Sequence, residues 1–432
     1  AQEETTNILF AEQGLKDNVR TTVEEVAYSP IYKYTVSYDN RDDGGYFVFS
    51  RPSTAASSGG NNTSGGNNPS DAFNPSVLAA PVSSVAAAKA TVNETFKYVF
   101  EHADAFTKMP QIERMAKINA NKYTLSTDFN GNRGSLCYEH NNKAAWFRPY
   151  VTFENLHLKN GPKVNTISYG SLAGFDTNFN EHKYGWHSVG TGYIGYNGSN
   201  LHYKSVDTTT NGGLLGYTHT MYKGNFWSAL TLSAGASVGE SRTMYGKEEF
   251  TSLMAGVGSK TGYNLEFKEG KYILQPIMFM SYTMVNTFDY TNAAGVKVKP
   301  SPAHSIQINP SIRFITNTKN GWQPYASVGM VWNVLNENKV TANSVRLPEM
   351  GMKPYVEYGI GIQRNWKDKF TAFGQAMLRS GGRNGISLTA GFRWALGKDK
   401  EDKVENINKT KKVIKQYNKT TRSATSAVLK QL

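Results

Sequence analysis

His304, Ser305 and Asn309 place a base, a nucleophile and an amide within one short run, the residue types of a Ser/His/Asn hydrolase. No Gly-x-Ser-x-Gly turn accompanies them, so nothing marks Ser305 as an exposed nucleophile. No His-Glu-x-x-His pair occurs, and His102, His140, His182, His187 and His202 are scattered through turns and strand ends. Cys137 is the only cysteine, which excludes a disulfide framework and a thiolate zinc site and leaves it as an apolar filler. No catalytic residue, metal ligand or cofactor is therefore expected. The chemistry that stands out is ionic. Glu94, Lys97 and Glu101 fall in a helix-like stretch, and Arg148, Glu154, Arg313, Glu357 and Arg393 fall in strand-like runs. A charge buried in such elements needs an opposite charge or water.

The chain has 432 residues, of which 39% are hydrophobic and 12% aromatic, with 40 Gly and a mean hydropathy of −0.49. No run approaches the roughly 20 apolar residues of a spanning helix. Twelve strand-like runs lie instead at about 145–156, 164–178, 184–197, 211–222, 225–240, 250–266, 271–288, 304–316, 322–334, 353–363, 369–379 and 385–396. In the last, Ile386, Leu388, Ala390, Phe392, Trp394 and Leu396 share one face and Ser387, Thr389, Gly391 and Arg393 the other. Ile306, Ile308, Ile312 and Phe314 oppose Gln307, Asn309, Ser311 and Arg313. Val356, Tyr358, Ile360 and Ile362 oppose Glu357, Gly359, Gly361 and Gln363. Short turns at 181–183, 222–225, 268–271, 317–321 and 364–369 alternate with longer polar loops at 198–210, 241–249, 289–303 and 335–352. That parity, with an even strand count, predicts an all-β membrane protein: a 12-stranded antiparallel up-and-down transmembrane β-barrel without a free edge. Phe147, Phe153, Tyr358, Phe392 and Trp394 then face outward as interfacial aromatics.

Upstream, the chain divides into 1–52, with a β-hairpin over Ile31–Ser50, a Gly/Ser/Asn-rich linker over 53–72, and a helix with a lead-in over 73–144. About 25 helical residues give a rod of roughly 37 Å, long enough to cross a membrane. Lys89, Asn93, Glu94, Lys97 and Glu101 bar that rod from lipid. Its small residues, Val85 and Ala88 among them, suit a narrow polar channel, so the helix is predicted to thread the barrel 145–396. Gly170, Gly174, Gly190, Gly192, Gly235 and Gly359 are expected to face inward and leave room for it. Arg148, Arg313 and Arg393 are expected to pair with Glu94 or Glu101. The tail 397–432 is basic and accounts for much of the net charge of +13. No helix-turn-helix or zinc-finger pattern accompanies it, so no nucleic-acid partner is expected.

A small-residue helix followed by about twelve alternating strands ending in Gly391-Phe-Arg-Trp-Ala395 resembles the translocator domain of autotransporters, the type V secretion proteins of the bacterial outer membrane. Ala145-Trp-Phe-Arg-Pro-Tyr150, Ser168-Tyr-Gly-Ser-Leu-Ala-Gly-Phe-Asp176, Gly190-Thr-Gly-Tyr-Ile-Gly-Tyr196 and Gly213-Leu-Leu-Gly-Tyr217 carry the likeness. The resemblance implies a barrel threaded by a helix that links a cell-surface passenger to the periplasmic start of the first strand. It implies outer-membrane lipid and lipopolysaccharide as surroundings and the barrel assembly machinery as a partner. The assembly signal then lies around Phe392 and Trp394. The tail would lie in the periplasm, where peptidoglycan or another partner could meet it. Some members cleave their own linker at an Asn beside acidic barrel residues, for which Asn93 with Glu154 or Glu357 is the nearest match, although a polar contact between helix and wall is the expected role. The alternative is a stand-alone outer-membrane structural or porin-like barrel with the helix as its plug.

Overall fold

The computed structural model describes residues 5–11, 25–41, 44–51, 68–111, 143–318, 320–366 and 369–396. Cys137 and the tail 397–432 lie outside the described residues. Four short strands come first: β1 (Thr5–Ala11), β2 (Glu25–Tyr28), β3 (Lys33–Arg41) and β4 (Gly44–Ser50). They pair antiparallel in the order β1-β4-β3-β2, so the predicted hairpin is the β3–β4 half of a larger sheet.

Two single turns follow, each opened by Asn-Pro-Ser. The Asn68 side chain accepts from the Ser70 amide at 3.2 Å, and Asn74 does the same for Ser76 at 2.9 Å. Proline at the first helical position has no amide to leave unsatisfied, so both turns are capped by their own sequence. Helix α1 (Ala79–Ser83) continues through a π-helical stretch, Ser84–Lys89, into α2 (Ala90–Ala103). Among the described residues no helix is long and apolar enough to cross a bilayer.

The barrel is built of β5 (Ala144–Lys159), β6 (Lys163–Asp176), β7 (His187–Tyr203), β8 (Val206–Lys223), β9 (Phe226–Thr243), β10 (Gly246–Tyr263), β11 (Tyr272–Thr287), β12 (Ala303–Thr316), β13 (Trp322–Glu337), β14 (Tyr355–Trp366), β15 (Phe370–Gly381) and β16 (Arg383–Ala395). Each pairs antiparallel with its neighbour in sequence, and β16 pairs with β5 to close the cylinder. Closure leaves no unpaired edge, the condition for β-structure in hydrocarbon. Side chains alternate as the pattern demands. Ser387, Thr389 and Arg393 are buried inward, while Phe392 and Trp394 are 39% and 57% exposed on the outer wall. Phe147, Phe153 and Tyr358 are outward as well.

The rim nearest the start of α1 is called upper here, and the opposite rim lower. Along the lower rim, ring centroids run from Phe147 to Phe392 (6.1 Å), Phe370 (5.9 Å), Trp366 (5.6 Å) and Trp322 (6.0 Å). Such a belt of aromatic rings, closed by the two tryptophans, is characteristic of the lipid–water boundary.

Loop parity is only half as anticipated. The stretches 198–210 and 241–249 are not loops: β7 and β8 meet at a two-residue turn, as do β9 and β10, and the strands project beyond the outward apolar band. Their polar residues suggested loops because the outward face of a projecting hairpin meets water, while the inward face is buried at Leu201, Tyr203 and Val206. The two genuine upper loops, 288–302 and 338–354, fold onto each other as a small sheet in which Val298 pairs with Tyr290 and Ala342. Gly190 and Gly192 face outward, contrary to the inward expectation. A Cβ at Gly190 would strike the hydroxyl of the outward Tyr217. Gly170, Gly174, Gly235 and Gly359 do face the lumen, where a Cβ would meet Tyr150, Trp146, Leu214 and Met377.

Candidate functional site

The lumen is filled by the helix, and its two faces are held differently. One face is apolar. Phe96 and Phe100 lie against Gly256 and Gly258 of β10, and Phe100 meets Phe279 of β11 edge-on at 5.8 Å. A Cβ added to Gly256 would sit 2.8 Å from the Phe96 ring and 3.0 Å from the Tyr282 carbonyl. Gly256→Leu is therefore expected to destabilise the plugged barrel by about 1–3 kcal/mol through overpacking. The check is the temperature of heat-induced unfolding in detergent, with partial recovery when Phe96→Ala is added.

The other face is ionic and forms two tiers. In the upper tier Glu94 is gripped by Arg379 Nη2 at 2.6 Å and Arg383 Nη1 at 2.9 Å. Arg383 also holds Glu154 at 2.5 and 2.8 Å, and Arg379 reaches Glu154 at 3.3 Å and Glu357 at 3.0 Å. Lys97 Nζ lies 3.0 Å from both Glu357 oxygens. Three carboxylates meet three cations, and Tyr98 donates to Glu94 at 3.1 Å. In the lower tier Asp104 binds Lys108 and Lys260, each at 2.7 Å, and Arg313 at 3.1 Å. Glu101 binds Lys260 at 2.9 Å and also pairs with Arg313. A third contact stands apart: Asp176 joins His102 at 2.9 Å and Arg393 at 2.7 Å, and the His102 ring stacks on Trp146. Between the ionic face and β12–β16 a small cavity of about 70 Å³ remains, lined by Glu101, Ser311, Ser327, Gln375 and Thr389. It is polar enough to hold water.

Both helix ends are sealed by the wall. A helix C-terminus leaves carbonyls without intrahelical donors. Here Tyr222 donates to the Ala103 carbonyl at 2.7 Å, Gln363 to Ala105 at 3.0 Å, and Asn264 and Gln275 to Thr107 at 2.7 and 3.0 Å. At the upper end the seal is a hydrophobic core. Val77, Leu78, Ala79, Val82 and Val85 pack with Leu156, Leu201 and Tyr203 of the tall hairpins and with Val296, Val298, Val340 and Leu347 of the two loops. Tyr203 donates to the Pro75 carbonyl at 3.0 Å and Asn338 to Pro81 at 3.2 Å. The N-terminal sheet rests on this dome. Asn74 donates to the Ser29 carbonyl at 2.8 Å, and Tyr32 stacks on Phe73 at 5.5 Å.

The residues singled out from sequence are distributed as follows. Val85, Asn93, Glu94, Lys97 and Glu101 lie on the lumen helix; the side chains of Ala88 and Lys89 lie outside the described residues. Glu357 and Arg313 meet that helix at Lys97 and Glu101, whereas Glu154 is joined to it only through Arg379 and Arg383. Arg313 pairs with Glu101 as anticipated, but Arg393 pairs with Asp176. Among the described residues Arg148 pairs with no carboxylate; it donates to Thr389 at 3.1 Å and to the Tyr98 carbonyl at 3.3 Å, and lies over the Phe373 ring. The partners of Glu94 are Arg379 and Arg383, which sequence reading missed. Arg379 shares the inward parity of Met377 and Gln375, a signal hidden because β15 has small and polar residues on both faces. Asn93 accepts from Ser281 at 2.9 Å, while Glu154 and Glu357 are taken up by cations. His304 and Ser305 point to opposite faces of β12: Ser305 is buried in the lumen, and His304 bonds to the outward Tyr282 at 2.8 Å. A Ser/His/Asn hydrolase site is thereby excluded at these residues.

Comparison with known proteins places this geometry. The family model described as autotransporter beta-domain matches residues 145–376. Among solved structures, the transport unit of the autotransporter AIDA-I from Escherichia coli superposes with a TM-score of 0.51 at 17% identity, covering 67% of this chain and 99% of that one. The translocator domain of the autotransporter NalP from Neisseria meningitidis gives 0.50 at 10% identity, covering 59% and 89%. No curated protein matches.

Proposed function

This chain belongs to the autotransporter beta-domain family and is an outer-membrane translocator barrel with a helix in its lumen; from that premise we propose that it displays its N-terminal segment at the cell surface. On this reading the upper rim is extracellular, the lower rim periplasmic, and the helix is the trailing end of an exported segment that stays behind as a plug. The observation that carries the reading is the direction of the helix. Residue 79 lies in the upper dome and residue 103 at the lower rim, from which the chain re-enters as β5. A segment that left through the lumen ends in that orientation. Barrel insertion, with Phe392 and Trp394 presented to the assembly machinery, and the plug account for the role without catalysis. The tail 397–432 would follow β16 into the periplasm.

The test is protease treatment of intact cells carrying a cleavage site within 53–67. Release of the N-terminal segment without permeabilisation is the expected result, with the barrel left in the membrane. Cleavage only after permeabilisation would sink the orientation. The stand-alone porin reading is tested by the conductance experiment in the Discussion.

A further inference from the structure

We propose that the outward face of β5 and β6, just above the apolar band, binds the phosphate of a phosphorylated sugar lipid in the outer leaflet. The inference rests on the orientation proposed above. Outward positions of β5 change from Val151 and Phe153 to Asn155, His157 and Lys159; those of β6 change from Ile167 to Asn165 and Lys163. His157 and Lys163 are directly paired across the ladder. Lys159 pairs with Gly351, two residues before Lys353. The His157 amide donates to the Gly382 carbonyl at 2.8 Å, and a Cβ on Gly382 would lie 2.7 Å from that of Lys353. Lys163 and Lys353 both stand close enough to act on the His157 ring. Three lysines and a histidine thus converge on one spot of the outer wall.

These cations have no internal use. Among the described residues no carboxylate is paired with Lys159, Lys163 or Lys353. Acidic groups on neighbouring segments are engaged elsewhere: Glu349 with Arg346, Asp71 with Lys204, and Glu154 inside the lumen. Three lysine charges gathered at a surface repel one another unless an anion joins them. What adjoins them indicates which anion. An open concavity of about 800 Å³ runs beside the cluster, with Asn155 and Asn165 in its wall and Phe153 and Ile167 on its lower lip. Its far side carries Asp207 against His202, and Glu240 against Arg242 and Lys247, so those acids are engaged there. Up the wall the order is apolar side chains, amides, then cations. That order matches acyl chains, sugar hydroxyls and phosphate, and a glycerophospholipid supplies no hydroxyl-rich ring for the middle layer.

The experiment uses the full chain in detergent micelles. Native mass spectrometry would compare a diphosphorylated, acylated glucosamine disaccharide with its dephosphorylated counterpart, with and without inorganic phosphate. The phosphorylated lipid is expected to bind at least about tenfold more tightly, given three surface cations. K159Q/K163Q/K353Q should abolish that preference, while K223Q/K268Q/K271Q at the lower rim should keep it. Equal binding of the two lipids, an unaffected triple variant, or full displacement by millimolar phosphate would each overturn the proposal. Orientation is read separately. In a C137S background, S301C should react with an impermeant maleimide on intact cells. Failure there removes the outer-leaflet assignment and leaves the micelle result to stand or fall by itself.

Discussion

Glu94→Ala should lower the stability of the plugged barrel by about 3–5 kcal/mol, the range for removing one partner of a buried ion pair. The upper tier balances Glu94, Glu154 and Glu357 against Lys97, Arg379 and Arg383, and all six are nearly sealed from water. Removing Glu94 takes away the 2.6 and 2.9 Å contacts and leaves one positive charge uncompensated between helix and wall. Arg383 retains Glu154, and Arg379 retains Glu154 and Glu357, so the wall itself stays knitted. The loss falls on the contact between helix and barrel. The measurement is the temperature at which the folded band disappears on heating, read with the rate of current noise in a planar bilayer. A downward shift together with new flickering is expected. An unchanged transition would mean that the tier contributes nothing and that the helix is held by its apolar face and dome alone. A double-mutant cycle with Arg379→Ala separates the pair from the general cost of burial. The coupling should be positive and of order 1–3 kcal/mol.

The ladder and the plug were unequally visible in the chain. The barrel was plain because a strand between lipid and lumen must alternate, and Val356–Gln363 and Ile386–Leu396 alternate without a break. The charged residues of the helix were also plain, since Glu94, Lys97 and Glu101 cannot face lipid. Their partners were harder to find. Parity places a side chain inward but does not fix its height, so Arg148, Arg313 and Arg393 looked interchangeable. Height depends on strand tilt and register, which separate Arg393, beside Asp176 at the lower rim, from Arg313 at the lower tier. The dome was invisible for another reason. Val77 lies in the helical stretch, and Val296, Val340 and Leu347 lie far from it in stretches whose local pattern reads as loop. Only the folding of loops 288–302 and 338–354 over the helix start makes them a core. Gly190 and Gly192 failed as inward positions because composition alone says nothing of which face a glycine takes.

Deleting 69–108 should convert a closed barrel into an open pore, the largest functional change available to this chain. With the helix present, the lumen holds a rod of about 10–12 Å including side chains, sealed at both ends, with small cavities of about 70 and 20 Å³ beside it. Without it, a water-filled passage of similar width should carry steady current in a planar bilayer, whereas the intact chain should be silent apart from brief openings. The direction of selectivity follows from the wall. Arg148, Lys260, Arg313, Arg379, Arg383 and Arg393 face inward, against Glu154, Asp176, Glu248 and Glu357. Deleting 69–108 removes Asp71, Glu94, Glu101 and Asp104 together with Lys89, Lys97 and Lys108, so the wall keeps its own positive surplus. A passage lined by surplus positive charge concentrates anions. In a potassium chloride gradient the reversal potential should therefore take the sign of chloride, and Arg379→Glu with Arg383→Glu should move it toward potassium. Folding of the deleted barrel is verified by its heat-shifted band before any current is read. Silence from a folded, helix-free barrel would mean that the loops 288–302 and 338–354 close the mouth on their own. Strong conductance from the intact chain would instead favour a porin with a mobile plug. The ion-pair tiers argue against that outcome, because a helix that swings out must expose the arginines of one wall and the carboxylates of its own face in the same step.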